Sequence, residues 1–263
     1  MTSTEKEFET YTTELFGPGH VLSFRDLKTC YEKWNGKIVS DSTFRVTLHR
    51  MKKKGVITPV KRGWYKIEPE QRFILPVGDE EKKISAHIES EFPFAEWAIW
   101  SSSLFDRFAS FQSVKEYHFL EMENGSEESA FYLLQEHYSE NLFLKPDEEI
   151  WSNYVIKADK PLIIKTLISE SPVEGNDGIP VPAIEKVLVD LFADELYFQP
   201  WLGERDRIVK EIFEVTTVNL SVLMRYASRR NRKSFFKEYI LKHELVKPEL
   251  LEDYRDSRHL KIN

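Results

Sequence analysis

Between Lys37 and Lys66 the chain carries a pattern that leaves few ways to fold. Ser40-Asp41-Ser42-Thr43 supplies the hydroxyl and carboxylate side chains that cap a helix N-terminus. Phe44, Leu48 and Met51 then recur at the three- and four-residue spacing that gathers apolar groups on one helical face, and Gly55 provides a stop. The stretch Val56-Ile57-Thr58-Pro59-Val60-Lys61-Arg62-Gly63-Trp64-Tyr65-Lys66-Ile67 reads as a short hairpin with Lys61-Arg62-Gly63 at its tip. Charge marks the same segment: nine Lys/Arg stand against one acidic residue, Asp41, in a chain whose formal net charge is −7.

A basic helix followed by a basic-tipped hairpin predicts a winged helix-turn-helix, in which the helix enters a groove of duplex DNA and the wing lies on phosphate. Two earlier helices complete the unit. The first follows from the spacing of Phe8, Tyr11, Leu15 and Phe16 and ends at Gly17-Pro18-Gly19. The second starts at Ser23 as N-cap, turns Leu27, Cys30, Tyr31 and Trp34 inward and stops at Asn35-Gly36. Early residues of a recognition helix reach base edges while flanking cations neutralise phosphate. Thr43, Arg45, Thr47 and His49 are therefore assigned to base contact. Arg50 shares their outer face, and Lys52, Lys53, Lys54, Lys61 and Arg62 are the phosphate candidates. Trp64 and Tyr65 alternate in the second wing strand and are read as structural. The competing readings are a solvated lysine face and a winged helix that docks protein.

Charge divides along the chain. Residues 1–75 carry 14 basic and 9 acidic side chains, whereas the other 188 carry 23 and 35, the pattern of a nucleic-acid module joined to an acidic body. No apolar run approaches the roughly 18 residues that span a bilayer, and the polar start Met1-Thr2-Ser3-Thr4-Glu5 does not read as a secretory signal. Cys30 is the single cysteine, which rules out an intramolecular disulfide and a zinc site built on cysteines. The expected compartment is the cytoplasm, with no membrane partner.

The expected fold class is α+β: a winged helix-turn-helix over 1–75, a small mixed α/β domain with helical C-terminal part over 76–247, and a polar tail over 248–263. The join is placed at Glu68-Pro69-Glu70-Gln71-Arg72 to Pro76-Val77-Gly78-Asp79. Beyond it, Ala86 to Glu91 reads as helix, Trp97 to Trp100 as strand, and Ser101-Ser102-Ser103 as a cap for Leu104, Phe105, Phe108 and Phe111. Glu116 to Met122 reads as strand, turned at Asn124-Gly125. A helix follows with Ala130, Phe131, Leu134 and Tyr138 inward, then strands at Leu142-Phe143-Leu144 and Pro161 to Ile164. From Pro180 the expectation is helix, with Pro182 in a first turn and Ile184, Val187, Leu188 and Leu191 in helical register.

Catalytic and cofactor signatures are missing: no GxxxxGK[ST], GxGxxG or HExxH occurs, and no two of the seven histidines stand at ligand spacing. No cofactor and no metal are expected. The alternative reading is a metal-dependent nuclease using Asp106, Glu121 and Glu123, since Glu121 and Glu123 fall on one side of a strand. No lysine follows them closely.

Four stretches in order resemble the AbiEi-type antitoxins of bacterial abortive-infection toxin–antitoxin systems. They are Arg62-Gly63-Trp64-Tyr65, Trp100-Ser101-Ser102-Ser103-Leu104-Phe105, the run Ile179 to Leu191, and Leu223-Met224-Arg225-Tyr226-Ala227-Ser228-Arg229-Arg230 with the basic helix to Ile240. The similarity spans roughly Phe8 to Lys242. The resemblance implies a repressor that binds operator double-stranded DNA, and a C-terminal domain that counteracts a nucleotidyltransferase toxin without requiring a stable complex. It also draws notice to a second basic patch, Arg225, Arg229, Arg230, Arg232, Lys233 and Lys237, which could hold phosphate, extend the DNA footprint, meet an acidic or RNA partner, or form a solvated helix face. Paired half-sites would call for a homodimer, although no heptad or apolar seam declares one.

Overall fold

Caps and apolar spacing place the N-terminal helices. In the computed structural model, which describes residues 3–16, 20–67, 73–113 and 115–254, α1 (Ser3–Phe16) buries Phe8. A three-residue strand, β1 (Val21–Ser23), leads into α2 (Phe24–Asn35), where the Ser23 hydroxyl accepts from the Asp26 N–H and Gly36 ends the helix at φ 68°. That left-handed conformation suits glycine, which has no Cβ to clash. α3 (Asp41–Lys53) begins in the same way, the Ser40 hydroxyl accepting from the Thr43 N–H at 3.1 Å. β2 (Ile57–Lys61) and β3 (Trp64–Ile67) form a hairpin, and β1 adds to it antiparallel in the order β1-β3-β2. Phe8, Leu22, Leu27, Cys30, Phe44, Leu48, Met51, Ile57, Tyr65 and Ile67 form its core. β1 is too short to show a period in the sequence and was not expected.

The chain separates into two units, 1–73 with 214–221, and 74–213 with 222–263. The join therefore falls close to the expected one, but 214–221 returns to the first unit, where the Phe73 N–H donates to the Thr216 hydroxyl at 3.2 Å. Residues 68–72 of the expected linker lie outside the described residues.

The larger unit is built on a four-stranded sheet. α4 (Asp79–Glu91) precedes β4 (Trp97–Ser101), a 3-10 turn (Ser102–Arg107), β5 (His118–Met122), α5 (Glu127–Tyr138), β6 (Leu142–Leu144), α6 (Glu148–Ile150) with a π-helical turn (Trp151–Val155), and β7 (Leu162–Thr166). The order is β4-β5-β7-β6, with β4 antiparallel to β5 and β5, β7 and β6 mutually parallel. Side chains alternate across the strands. One face sets Ile99, Leu120, Met122, Leu162 and Ile164 against Ile84 and Ile88 of α4 and Ala130 and Leu134 of α5. The other carries Trp100, Phe119, Glu121 and Lys165. There Trp100 stacks on Phe119 at 4.7 Å between ring centres, and Phe198 packs on both. Both faces are covered, so β4 and β5 are buried along their whole length.

Two expectations need correction. Pro180 and Pro182 do not open a helix. They sit in β9 (Ile179–Pro182), paired antiparallel with β8 (Val173–Asn176), and α7 (Ile184–Ala193) starts after them. The pair is a two-residue hairpin turned by Asp177 (φ 51°) and Gly178 (φ 88°), the two positive angles that a type I′ turn requires. A two-stranded ribbon has edges on both sides, so the N–H groups that the prolines lack go unmissed. The second correction concerns the tail. α8 (Arg205–Val215), α9 (Leu220–Arg229) and α10 (Lys233–Lys242) are followed by a 3-10 turn (Pro248–Tyr254) that buries Leu250 and Leu251, so the first residues of the expected polar tail are packed. Among the described residues no helix is long and apolar enough to cross a membrane.

Candidate nucleic-acid interface

Ties to α2 hold α3 in place. Asp41 at its N-terminus receives the Lys28 ammonium at 2.6 Å, and the Glu32 carboxylate accepts the Val39 N–H at 3.0 Å, fixing the turn between the helices. The hydrogen bond from Lys28 holds the Asp41 carboxyl below its ordinary range, and Lys28 is raised in return. Beneath, Phe44 packs against Phe24 and Tyr31 at 5.3 and 5.5 Å between ring centres. With Phe44, Leu48 and Met51 buried, the opposite face of the helix is left open.

That face carries Thr43, Arg45, His49, Arg50, Lys53 and Lys54, all exposed. Arg45 lies over the Phe24 ring at 4.9 Å, an arrangement that steadies a guanidinium while leaving its edge available for a second contact. Val46, 62% exposed, stands among these cations and was not singled out from the sequence. Its signal was available, since an apolar side chain on the polar face of an amphipathic helix has no place in the core.

Two assigned residues are turned inward. Thr47 is buried, its hydroxyl donating to the Thr43 carbonyl at 3.3 Å, which leaves it no open edge for a base. Lys61 is buried on β2 with its ammonium 5.4 Å from the Trp64 ring centre. The bulge between Pro59 and Lys61 shifts the pairing register, so alternation counted along the strand misplaces its side chain. Lys52 is half-buried over the Tyr65 ring at 4.8 Å, and burial lowers its pKa. Arg62 is exposed beside Gly63 (φ 79°) at the hairpin turn.

The second basic patch is divided by the fold. Arg230 turns inward to Asp194 and Asp190, and Arg229 pairs with Glu170. Arg225 and Arg232 are exposed, while Lys233 and Lys237 are half-buried. Arg230 belongs instead to a charged interior. Lys186 on α7 reaches Glu121 and Asp190 at 2.6 Å each, Lys165 on β7 reaches Asp194 at 3.0 Å, Tyr226 donates to Asp190 at 2.9 Å, and the Trp100 indole donates to Glu121 at 3.0 Å. Burial pushes the Glu121 carboxyl up, but Lys165 and Lys186 overcome it and hold it low; burial pushes both lysines down, and their carboxylate partners hold them raised. Three cations face three carboxylates, so the interior is balanced, and its partners span β5, β7, α7 and α9. A sequence signal existed: Lys186 and Asp190 stand four residues apart among the apolar residues Ile184, Val187, Leu188, Val189, Leu191 and Phe192, and charges in a buried helix must be paired.

Asp106, Glu121 and Glu123 lie apart. Asp106 accepts from the Ser113 N–H at 2.9 Å, Glu123 accepts from the Glu96 N–H at 3.3 Å, and Glu121 is 1% exposed within the ion network. Among the described residues a different trio brings metal-type donors within 4.8 Å of one another: Glu81, Glu116 and His118. Sequence spacing hid it, because Glu81 and His118 are 37 positions apart. His87 and His137, also far apart in sequence, stack at 4.5 Å between ring centres.

Residues 43–245 match a family described as "Family of unknown function (DUF6577)". The chain belongs to this family. The DUF6577 match starts within α3 and takes in the hairpin, the sheet and the charged interior, leaving α1 and α2 outside it. Among curated proteins, none matches the chain significantly.

Proposed function

We propose that the N-terminal unit is a winged helix-turn-helix that lays α3 in the major groove of duplex DNA, and that the chain is an operator-binding repressor. The observation that carries this reading is the open face of α3, where Arg45, His49, Arg50, Lys53 and Lys54 surround Val46 while the opposite face is fixed in the core. A major groove about 12 Å wide admits a helix of this kind. Arg45 and His49 are the base-reading side chains, and Val46 offers an apolar surface to a thymine methyl. Arg50, Lys53, Lys54 and the wing residue Arg62 neutralise phosphate. The order of helices and the hairpin after α3 support the assignment. Thr47 and Lys61 drop out because they are buried.

The larger unit is proposed as an antitoxin-like body, a reading that rests on the sequence resemblance to AbiEi-type antitoxins and names a nucleotidyltransferase toxin as its functional partner. DNA from upstream of the chain's own gene, compared with unrelated duplex in a mobility-shift assay, tests the first half. Preference for the upstream duplex is the expected result, and equal affinity for both would remove the operator. Co-expression with a neighbouring nucleotidyltransferase tests the second, growth rescue being expected and unrelieved toxicity excluding it.

A further inference from the structure

We propose that Glu81, Glu116 and His118 form a divalent-cation site in the larger unit. They come from three places: the first turn of α4, the loop before β5, and the first residue of β5. One ring nitrogen of His118 and one oxygen from each carboxylate lie within 4.8 Å of one another. The imidazole is 2% exposed; Nδ1 stands 2.5 Å from Glu81 Oε1, and Nε2 is buried without a hydrogen-bond partner. Glu81 is also 2% exposed and Glu116 half-buried, so two carboxylates converge where water is scarce. A dication on the Nδ1 side would neutralise the pair and engage the imidazole in place of its hydrogen bond to Glu81.

The surroundings hold the donors in position. Glu81 Oε2 accepts the Gly78 N–H at 2.8 Å, and the Ser101 hydroxyl donates to Glu116. Ser101 is also the β4 residue paired with His118 across the sheet. Outer contacts of this kind orient metal ligands and are often needed for affinity. The donor set of one imidazole and two carboxylates suits Zn²⁺, with Mn²⁺ or Fe²⁺ as further fits. Ligands on tetrahedral zinc sit roughly 3.3 Å apart for bonds of about 2 Å, so the side chains draw together on binding, and the half-buried Glu116 is the freest to adjust. Three protein donors leave a fourth position for water or a ligand, as in zinc sites that do chemistry.

The test uses the full chain, stripped with chelator and titrated calorimetrically with Zn²⁺ and, separately, Mn²⁺. One equivalent of metal per chain is expected, with affinity at least tenfold weaker in Glu116→Gln and in His118→Gln. Zn²⁺ should raise the thermal midpoint of the unaltered chain and leave the variants unmoved. Should His118→Gln fail to fold, Glu116→Gln at its half-buried position carries the comparison. His87→Ala should bind as the unaltered chain does. Absence of stoichiometric binding by either metal would overturn the site. So would equal affinity in a folded Glu116→Gln, or loss of binding in His87→Ala alone, which would move the metal to the stacked His87–His137 pair.

Discussion

Arg45 and Lys53 leave the same helix for solvent and should fail differently when removed. On the proposed DNA-binding reading, Arg45→Ala would remove a base contact, with an expected loss of about 1–3 kcal/mol for the preferred sequence and a relaxed preference at one position. Lys53→Ala would remove a phosphate contact, weaken all sequences alike and lower the salt slope by about 1. Anisotropy titrations on matched and scrambled duplexes separate the two, and identical behaviour of both variants would refute the division. Lys61 makes an inner control. Because it is buried, Lys61→Ala should lower the unfolding midpoint more than it alters the salt slope. Which side chains face out was only partly legible in the sequence. Helical period placed Phe44, Leu48 and Met51 inward and Arg45 outward, but Thr47 sits at the margin of the apolar stripe, where packing against neighbours decides. Lys61, expected at the hairpin tip, is the last residue of β2, pairs with Trp64 and is buried.

Glu127 gives a residue-scale prediction in acid. Burial pushes its carboxyl up, but hydrogen bonds from Lys145, Thr166 and the Gly125 N–H overcome this and hold it at about 2. A carboxyl depressed in the folded state contributes stability that is fully present above its unfolded pKa and is lost as pH falls through the folded value. The stability difference between the unaltered chain and Glu127→Gln should therefore be complete at neutral pH and shrink between roughly pH 5 and 2. Denaturant unfolding at a series of pH values measures it, and a difference independent of pH would contradict the pairing.

At the level of elements, the β8–β9 ribbon shows where reading by element type went astray. Two prolines near an apolar helical run looked like a helix start, while Asp177-Gly178, a strong hairpin signal, lay just before them. Gly178 has φ 88° with open space where a Cβ would stand, so Gly178→Ala is strained by backbone alone and should cost roughly 1–2 kcal/mol. A thermal midpoint unchanged by that substitution would mean the turn is not held as described. α7 carries the second prediction of this scale. Lys186→Met leaves Glu121 and Asp190 buried beside one fewer cation, and removing one partner from such a network costs roughly 3–5 kcal/mol. Urea unfolding reads the loss directly, and a variant as stable as the unaltered chain would show the network to be dispensable.

Across the whole molecule the legible part was the charge split and the mixed α+β character; the hidden part was what brings distant residues together. A basic N-terminal region and an acidic remainder are visible in composition, and the α+β character follows from alternating short strands and helices. The return of 214–221 to the first unit, most pairs of the six-charge interior and the approach of Glu81 to His118 join residues dozens to more than a hundred positions apart, which no local period encodes; only the Lys186–Asp190 pair left a local mark. The claim that joins these scales is that α3 binds duplex DNA through its open cationic face. The most direct measurement is the affinity of the full chain for labelled upstream duplex across a salt series, beside a variant with Arg45, Arg50, Lys53 and Lys54 all changed to Ala. The account predicts a log–log slope of about −0.9 for each neutralised phosphate, with binding abolished in the variant. Affinity that ignores salt, or a folded variant that binds as tightly as the unaltered chain, would contradict it.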